Sequence, residues 1–138
     1  SEELALAFED IFLNGKIIFI FQAEQGRDYL KRHLESQGAV VMKIPVYQTQ
    51  KAEAAKPASL QRILNAGIDW ICFCSSSAVK FFFEMLEQTE MTRESLVGTK
   101  CICIGPPTAT TLKTYRKVSD SMPREASLSA MVEALINA

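Results

Sequence analysis

The stretch Asp69-Trp70-Ile71-Cys72-Phe73-Cys74-Ser75-Ser76-Ser77-Ala78-Val79 decides the fold. Asp69 to Cys74 is a short apolar run of the kind that forms a strand covered on both faces. The three serines then open a helix carrying Val79, Phe82, Phe83 and Leu86. Downstream the pattern repeats. Lys100 to Ile104 (KCICI) reads as a strand, Gly105-Pro106-Pro107-Thr108 as a turn, and the residues through Leu112 to Tyr115 as a helix. Lys117 to Asp120 reads as a short further strand. Residues 127–136 read as a closing helix with Leu128, Met131, Val132, Leu135 and Ile136 on its apolar side. Upstream, Leu4, Leu6, Phe8, Ile11, Phe12 and Leu13 suit a helix stopping at Asn14-Gly15, followed by the strand run Lys16 to Phe21 (KIIFIF). A helix over 25–37, a strand over Ala39 to Val46, a polar connector over 48–58 and a short helix around Leu60, Ile63 and Leu64 complete the chain.

Alternating strands and helices with apolar strand runs imply a mostly parallel sheet with helices on both faces. Five strands give, most simply, an α/β, flavodoxin-like, doubly wound, five-stranded order over one unit, 1–138. Ligands of such sheets sit beyond the carboxyl ends of the strands. That rule selects Gln22 to Gly26, Tyr47 to Thr49, Ser75 to Ser77 and Gly105 to Thr108.

Composition bounds the rest. The chain has 138 residues, 48% of them hydrophobic and 22% charged, with a net charge of −1. One ordinary globular domain fits these values, and disorder does not. The balanced charge offers no footprint for nucleic acid or an anionic membrane surface. The longest apolar run, Ile17 to Phe21, is far short of a membrane span. The opening Ser1-Glu2-Glu3 lacks the positive region of a secretory signal. The four cysteines, at 72, 74, 101 and 103, form two Cys-x-Cys pairs. On a strand each pair sets its sulfurs on one face about 6–7 Å apart, too far for an easy disulfide. They read as small buried hydrophobes of a reduced, cytoplasmic protein. A four-thiolate metal site is the alternative if the two strands are neighbours.

The strand-end chemistry is polar and poor in strong acids and bases. One of Ser75, Ser76 and Ser77 caps the helix. The others present hydroxyls and free N–H groups at its positive end, which favours an anion; capping alone is the plainer alternative. Gly105 allows close backbone approach, the prolines suit a first helical turn, and Thr108 can cap or donate. The single histidine, His33, falls in mid-helix, so a Ser-His-Asp triad has no base. No dinucleotide or P-loop glycine motif occurs. Asp69 begins a strand and so lies at the wrong edge for general acid–base work.

Several elements, in order, carry a resemblance. They are Gly15-Lys16-Ile17-Ile18-Phe19, Gly26-Arg27-Asp28-Tyr29-Leu30, Gly38-Ala39-Val40-Val41, Val46-Tyr47-Gln48-Thr49, the stretch from Asp69 to Val79, and Ile104-Gly105-Pro106-Pro107-Thr108-Ala109. In order and spacing the series resembles the C-terminal half of the uroporphyrinogen-III synthase family, over about residues 10–138. The resemblance implies a cytoplasmic hydro-lyase of tetrapyrrole (heme) biosynthesis. Its substrate, hydroxymethylbilane, loses water, inverts its last pyrrole ring and closes to a macrocycle, with no cofactor and no metal. The substrate is a polycarboxylate, which suits a cleft of helix N-termini and hydroxyls.

The resemblance assigns roles residue by residue. Tyr47 assists departure of hydroxide, against a plainer role as a packing aromatic. Ser75, Ser76, Ser77, Gly105, Thr108 and Gln22 bind substrate carboxylates. Gln22 stands where many members carry arginine, Pro107 where threonine or lysine is common, and Tyr115-Arg116-Lys117 where a glycine is expected. Members are about twice as long. By analogy residues 1–47 end one lobe, 48–53 cross over, and 54–138 form most of the other, with the missing N-terminal half or a swapped second copy as partner. Two readings compete with catalysis: a non-catalytic anion- or tetrapyrrole-binding module, and an assembly domain whose Phe81-Phe82-Phe83 run exposes a ring for docking.

Overall fold

The computed structural model describes residues 2–53 and 56–138, with side chains from Leu4 onward. The chain falls into two compact units, Ser1–Gln50 and Lys51–Ala138. Part of the connector expected over 48–58, residues 54 and 55, lies outside the described residues.

The first unit runs α1 (Glu2–Leu6), β1 (Ile17–Ala23), α2 (Tyr29–Ser36) and β2 (Val40–Tyr47). The helix expected to reach Leu13 stops at Leu6 and gives way to tighter turns, with Phe8, Glu9 and Ile11 N–H donating three residues back at 3.0–3.1 Å. Ile11, Phe12 and Leu13 are consecutive and cannot share one helical face; only Leu13 is buried. β1 and β2 pair in parallel, Ile17 opposite Val40 through Gln22 opposite Pro45, with a register shift before Ala23 and Tyr47. The crossover helix α2 lies on one face. Leu30 and Leu34 from it join Ala5, Leu13, Ala39 and Val41 in a small core, with Ile18 and Ile20 against it. α2 starts later than the sequence pattern suggests, at Tyr29 after a turn in which Gly26 N–H donates to the Ala23 carbonyl at 2.9 Å, and the Asp28 carboxylate does not cap it. Asp28 instead pairs with the Lys43 ammonium, which also donates to the Gly26 carbonyl at 3.2 Å. Gly38 leaves α2 at φ +87°, and a Cβ there would meet Asn14 Oδ1 at 2.6 Å.

The second unit runs α3 (Pro57–Asn65), β3 (Trp70–Phe73), α4 (Ser76–Leu86), β4 (Lys100–Cys103), α5 (Pro106–Thr114) and α6 (Leu128–Ile136). β3 and β4 pair in parallel, Trp70 opposite Lys100 through Phe73 opposite Cys103. Phe73, Val79, Phe83, Leu86, Leu96 and Leu112 lead the core, and the Tyr115 ring stacks on Phe83 at 4.3 Å. Phe82 also rests on this core and Phe81 is half-buried, so none of the three adjacent phenylalanines is an exposed docking ring.

The architecture is α/β, but the five-stranded sheet is not what forms. Among the described residues there are two parallel sheets of two strands each. The expected strand over Lys117 to Asp120 reduces to a single parallel bridge between Ile102 and Ser121. Side chains explain why. Cys101 N–H donates to the Asp120 carboxylate at 2.7 Å, and Cys103 N–H to Ser119 Oγ at 3.1 Å. Two N–H groups of β4 are thus taken largely by side-chain oxygens, and the backbone pairing, with Asp120 N–H donating to the Cys101 carbonyl at 2.7 Å, goes no further than one bridge.

The strand register also removes the four-thiolate alternative. Ile71 pairs with Cys101 and Cys72 with Ile102, so alternation puts Cys101 and Cys103 on one face and Cys72 on the other. Burial pushes the Cys101 thiol up to about 11, which keeps it protonated at neutral pH. All four cysteines are unpaired, and no group able to hold a metal ion occurs among the described residues.

Candidate functional site

In each unit the selected residues sit at the carboxyl end of that unit's sheet. In the second unit, β3 ends into Ser75, whose extended backbone (φ −164°, ψ 160°) places its hydroxyl to accept from Ala78 N–H at 3.0 Å. Ser75 is therefore the cap of α4. Its hydroxyl remains exposed and keeps its own proton to donate. Ser76 turns the other way and donates to the Pro107 carbonyl at 3.2 Å, tying the first turn of α4 to the first turn of α5. The Thr111 hydroxyl donates to the same carbonyl at 3.0 Å. Ser77 is half-buried on the first turn. The structure thus brings Ser75–Ser77 and Gly105–Thr108 together along one rim.

Gly105 caps α5 without a side chain, in a backbone (φ −177°, ψ 175°) nearly the same as that of Ser75. Ser127, the cap of α6, is likewise extended and accepts from Ala130 N–H at 3.2 Å. A Cβ on Gly105 would meet only Ala126 Cβ at 3.8 Å and Pro107 Cδ at 3.9 Å, ordinary contacts. Neither backbone strain nor crowding requires glycine there. Glycine leaves this cap without a side chain of its own, and the residue is buried beside Ala126. Pro106 and Pro107 occupy the first two helical positions and supply no N–H, so the donor supply of this turn is small. Thr108, the third, is 4% exposed, and its N–H donates to the Gly105 carbonyl at 3.1 Å.

In the first unit, Tyr47 ends β2. Its carbonyl accepts from Glu24 N–H at 2.9 Å, and its ring is 61% exposed beside Glu24, Pro45 and Gln48. Gln22, at the end of β1, folds its amide against Gly26; the Nε2 atom is buried and has no hydrogen-bond partner. Lys43 was not singled out by the sequence, although a lone lysine in an otherwise apolar strand is a usable signal. It holds the Asp28 carboxyl below the usual carboxylate range, through its hydrogen bond first and its charge second. Lys117 was missed as well. Its ammonium donates to the Thr99 carbonyl at 2.7 Å and the Leu96 carbonyl at 3.2 Å, a structural tie beneath β4.

Two parallel sheets, one ending in Gln22 and Tyr47 and the other in Ser75–Ser77 and the Gly105 turn, make this an α/β protein. The sequence comparisons make this specific. Residues 1–133 match the family profile of uroporphyrinogen-III synthase HemD, and the chain belongs to that family. A uroporphyrinogen-III synthase of Synechococcus elongatus is 26% identical over 113 residues, covering 80% of this chain and 43% of the relative. The fold is similar to the Helicobacter pylori synthetase (TM-score 0.64, 20% identity, covering 99% of this chain and 58% of that one). It is also similar to the Thermus thermophilus synthase (TM-score 0.55, 18% identity, covering 99% and 54%). The chain spans about half the length of the relatives it matches. No helix among the described residues is long and apolar enough to cross a membrane.

Proposed function

We propose that this chain is the C-terminal part of a uroporphyrinogen-III synthase, cyclising hydroxymethylbilane with inversion of the last pyrrole ring and loss of water. The Ser75 cap carries the reading: its exposed hydroxyl stands at the N-terminus of α4, which Ser76 ties to the first turn of α5, along the rim where a polycarboxylate would lie. Ser75 and Ser77 donate to substrate carboxylates. Ser76 holds the two helices together while contributing its backbone N–H. Gly105 keeps the α5 N-terminus free of a capping side chain, and Thr108, nearly sealed, shapes the turn beneath it. In the first unit Gln22 offers the one buried amide donor still without an acceptor among the described residues. Tyr47 donates a hydrogen bond to the hydroxyl that leaves as the C–O bond breaks. The remaining work is conformational, since holding the chain's ends in reacting geometry supplies much of the barrier reduction.

In this reading the two units are portions of two lobes, with residues 48–53 as the crossover, and the flavodoxin-like strand order is completed by segments outside this chain. Four unpaired thiols suit a cytoplasmic setting. The test is isomer analysis of the product made by the longest form encoded by the gene, with Tyr47→Phe and Ser75→Ala. A fall in type III product of roughly tenfold or more, the loss of one charge-assisted hydrogen bond, is expected for each. Unchanged turnover in both removes these residues from the mechanism. Binding of the substrate without any turnover by the unsubstituted protein favours the non-catalytic module instead.

A further inference from the structure

The turn that joins β1 to α2 is built around one side chain. The Gln22 amide lies against Gly26, and its Nε2 atom is buried with no hydrogen-bond partner among the described residues. A Cβ on Gly26 would overlap this amide, 2.6 Å from its carbon. Gly26 does not have the left-handed backbone of Gly15 or Gly38, so what calls for glycine here is room for the amide. A buried donor without an acceptor raises the free energy of the state that hides it. The turn is therefore closed over Gln22 at a cost that an incoming acceptor removes.

Backbone bonds fix the start of this turn. Gly26 N–H donates to the Ala23 carbonyl at 2.9 Å, and Glu24 N–H to the Tyr47 carbonyl at 2.9 Å. The rest is held by a side chain. Lys43 donates to the Gly26 carbonyl at 3.2 Å and pairs with the Asp28 carboxylate. Register sets Lys43 opposite Ile20, on the face of the sheet where Ile18, Ile20 and Val41 meet the core. An ammonium on that face loses hydration, and the two acceptors that compensate it both belong to the turn. The Lys43 and Asp28 side chains are 25% and 52% exposed, so the pair is weak enough to open.

We propose that the turn over Gly26, Arg27 and Asp28 is a latch on the Gln22 amide, fastened by Lys43, and that it opens for a ligand carboxylate, which accepts the hydrogen bond that Nε2 lacks. The carboxylate rests on the reading of Gln22 given above, whereas the latch itself is measured without substrate. Lys43 acts through the turn and is a positioning residue; Gln22 is the residue that meets the ligand. Opening releases Lys43 from its two acceptors and gives the amide one, so the fastening sets how much of the ligand's binding energy is spent on the turn.

The test is hydrogen exchange of the glutamine side-chain amides, followed by NMR in the longest form encoded by the gene. The Gln22 amide is expected to exchange far more slowly than that of exposed Gln48. Lys43→Met removes both fastenings and should speed the Gln22 exchange roughly tenfold or more, the loss of one hydrogen bond to a charged group, with circular dichroism unchanged. Lys43→Arg keeps a cation within reach of Asp28 and should restore most of the protection. Gly26→Ala, whose Cβ cannot share the space of the amide, should unmask Gln22 with Lys43 intact, which separates the latch from a general effect of losing a charge. In turnover, Lys43→Met should lower the KM for hydroxymethylbilane about 1.5- to 5-fold, the range of a part-exposed ion pair, and should change nothing once Gln22→Ala is present. A Gln22 amide that exchanges as fast as Gln48, or protection that survives Lys43→Met, overturns the latch. So does a KM that rises in Lys43→Met, which would make Lys43 itself a ligand contact. Exchange that behaves as expected, with KM indifferent to Gln22→Ala, keeps the latch and removes the carboxylate reading of Gln22.

Discussion

Replacing Gly105 with serine separates what the fold needs from what a ligand needs. The backbone there is extended and close to that of Ser75, and an added Cβ makes only contacts of 3.8 and 3.9 Å. The introduced hydroxyl would reach Thr108 N–H, the position equivalent to Ala78 in the Ser75 cap and Ala130 in the Ser127 cap. Serine over glycine at a cap gains a few tenths of a kcal/mol. The lost backbone freedom of the unfolded chain adds about 0.4–1 kcal/mol. The sum is about 1 kcal/mol of stabilisation, which for a unit of this size raises Tm by roughly 4–8 °C. If a substrate carboxylate uses the space above Gly105, the same change blocks it. Losing a charge-assisted hydrogen bond of about 1.5–3 kcal/mol predicts a fall in turnover of roughly 10- to 100-fold. Differential scanning calorimetry and isomer analysis on Gly105→Ser read both effects. A lowered Tm would show that folding itself requires glycine. A raised Tm with full turnover would show that nothing approaches the α5 N-terminus, and the proposed rim would lose its centre.

Other expectations follow from the caps, the β4 contacts and the thiols. Ser75→Ala and Ser127→Ala each remove a cap bond and should each cost about 1 kcal/mol in calorimetry, but only Ser75→Ala should lower turnover; equal effects on turnover would reduce Ser75 to a cap. Asp120→Ala leaves Cys101 N–H without its 2.7 Å acceptor and should destabilise by about 1–3 kcal/mol in urea denaturation; a neutral result would mean that Ser121 takes over the strand pairing. In native protein a thiol reagent should modify Cys72 and Cys74, which are exposed, and spare Cys101 and Cys103, which are buried. The Cys101 thiol lies above its ordinary 9.0, at about 11, because burial disfavours the thiolate. Its contribution to stability is therefore complete below pH 9 and lost as pH rises through about 11, which a urea-midpoint series in alkaline buffers would register and Cys101→Ala would abolish.

Much of the rim was legible because strand ends announce themselves chemically. An apolar run from Asp69 to Cys74 that breaks into three serines leaves little choice about where the strand stops and the helix starts, and Ser75 proved to be the cap. The Gly105 turn was legible for the same reason. The fifth strand was not. Ser119 and Asp120 carry the right backbone path, but their side chains compete for the N–H groups of β4, and that competition depends on a tertiary approach that periodicity does not encode. The face assignment of the cysteines depended on register, one residue of which reverses it. Gln22 stands out in the sequence by its position at a strand end; its amide turning against Gly26 depends on the following turn. The run from Ile17 to Phe21 reads as a strand buried on both faces, and the structure covers one of them, because what packs against each face is a tertiary matter that the run does not encode.

The Asp120 and Ser119 contacts have a consequence for how the second sheet can grow. Carboxylate and hydroxyl oxygens sit where another strand's carbonyls would dock on β4, so that margin is insulated against strand addition, including the edge-to-edge pairing that starts aggregation. No strand pairs with the far margin of β3 among the described residues, so it is at β4 that growth of the sheet by a further strand is opposed.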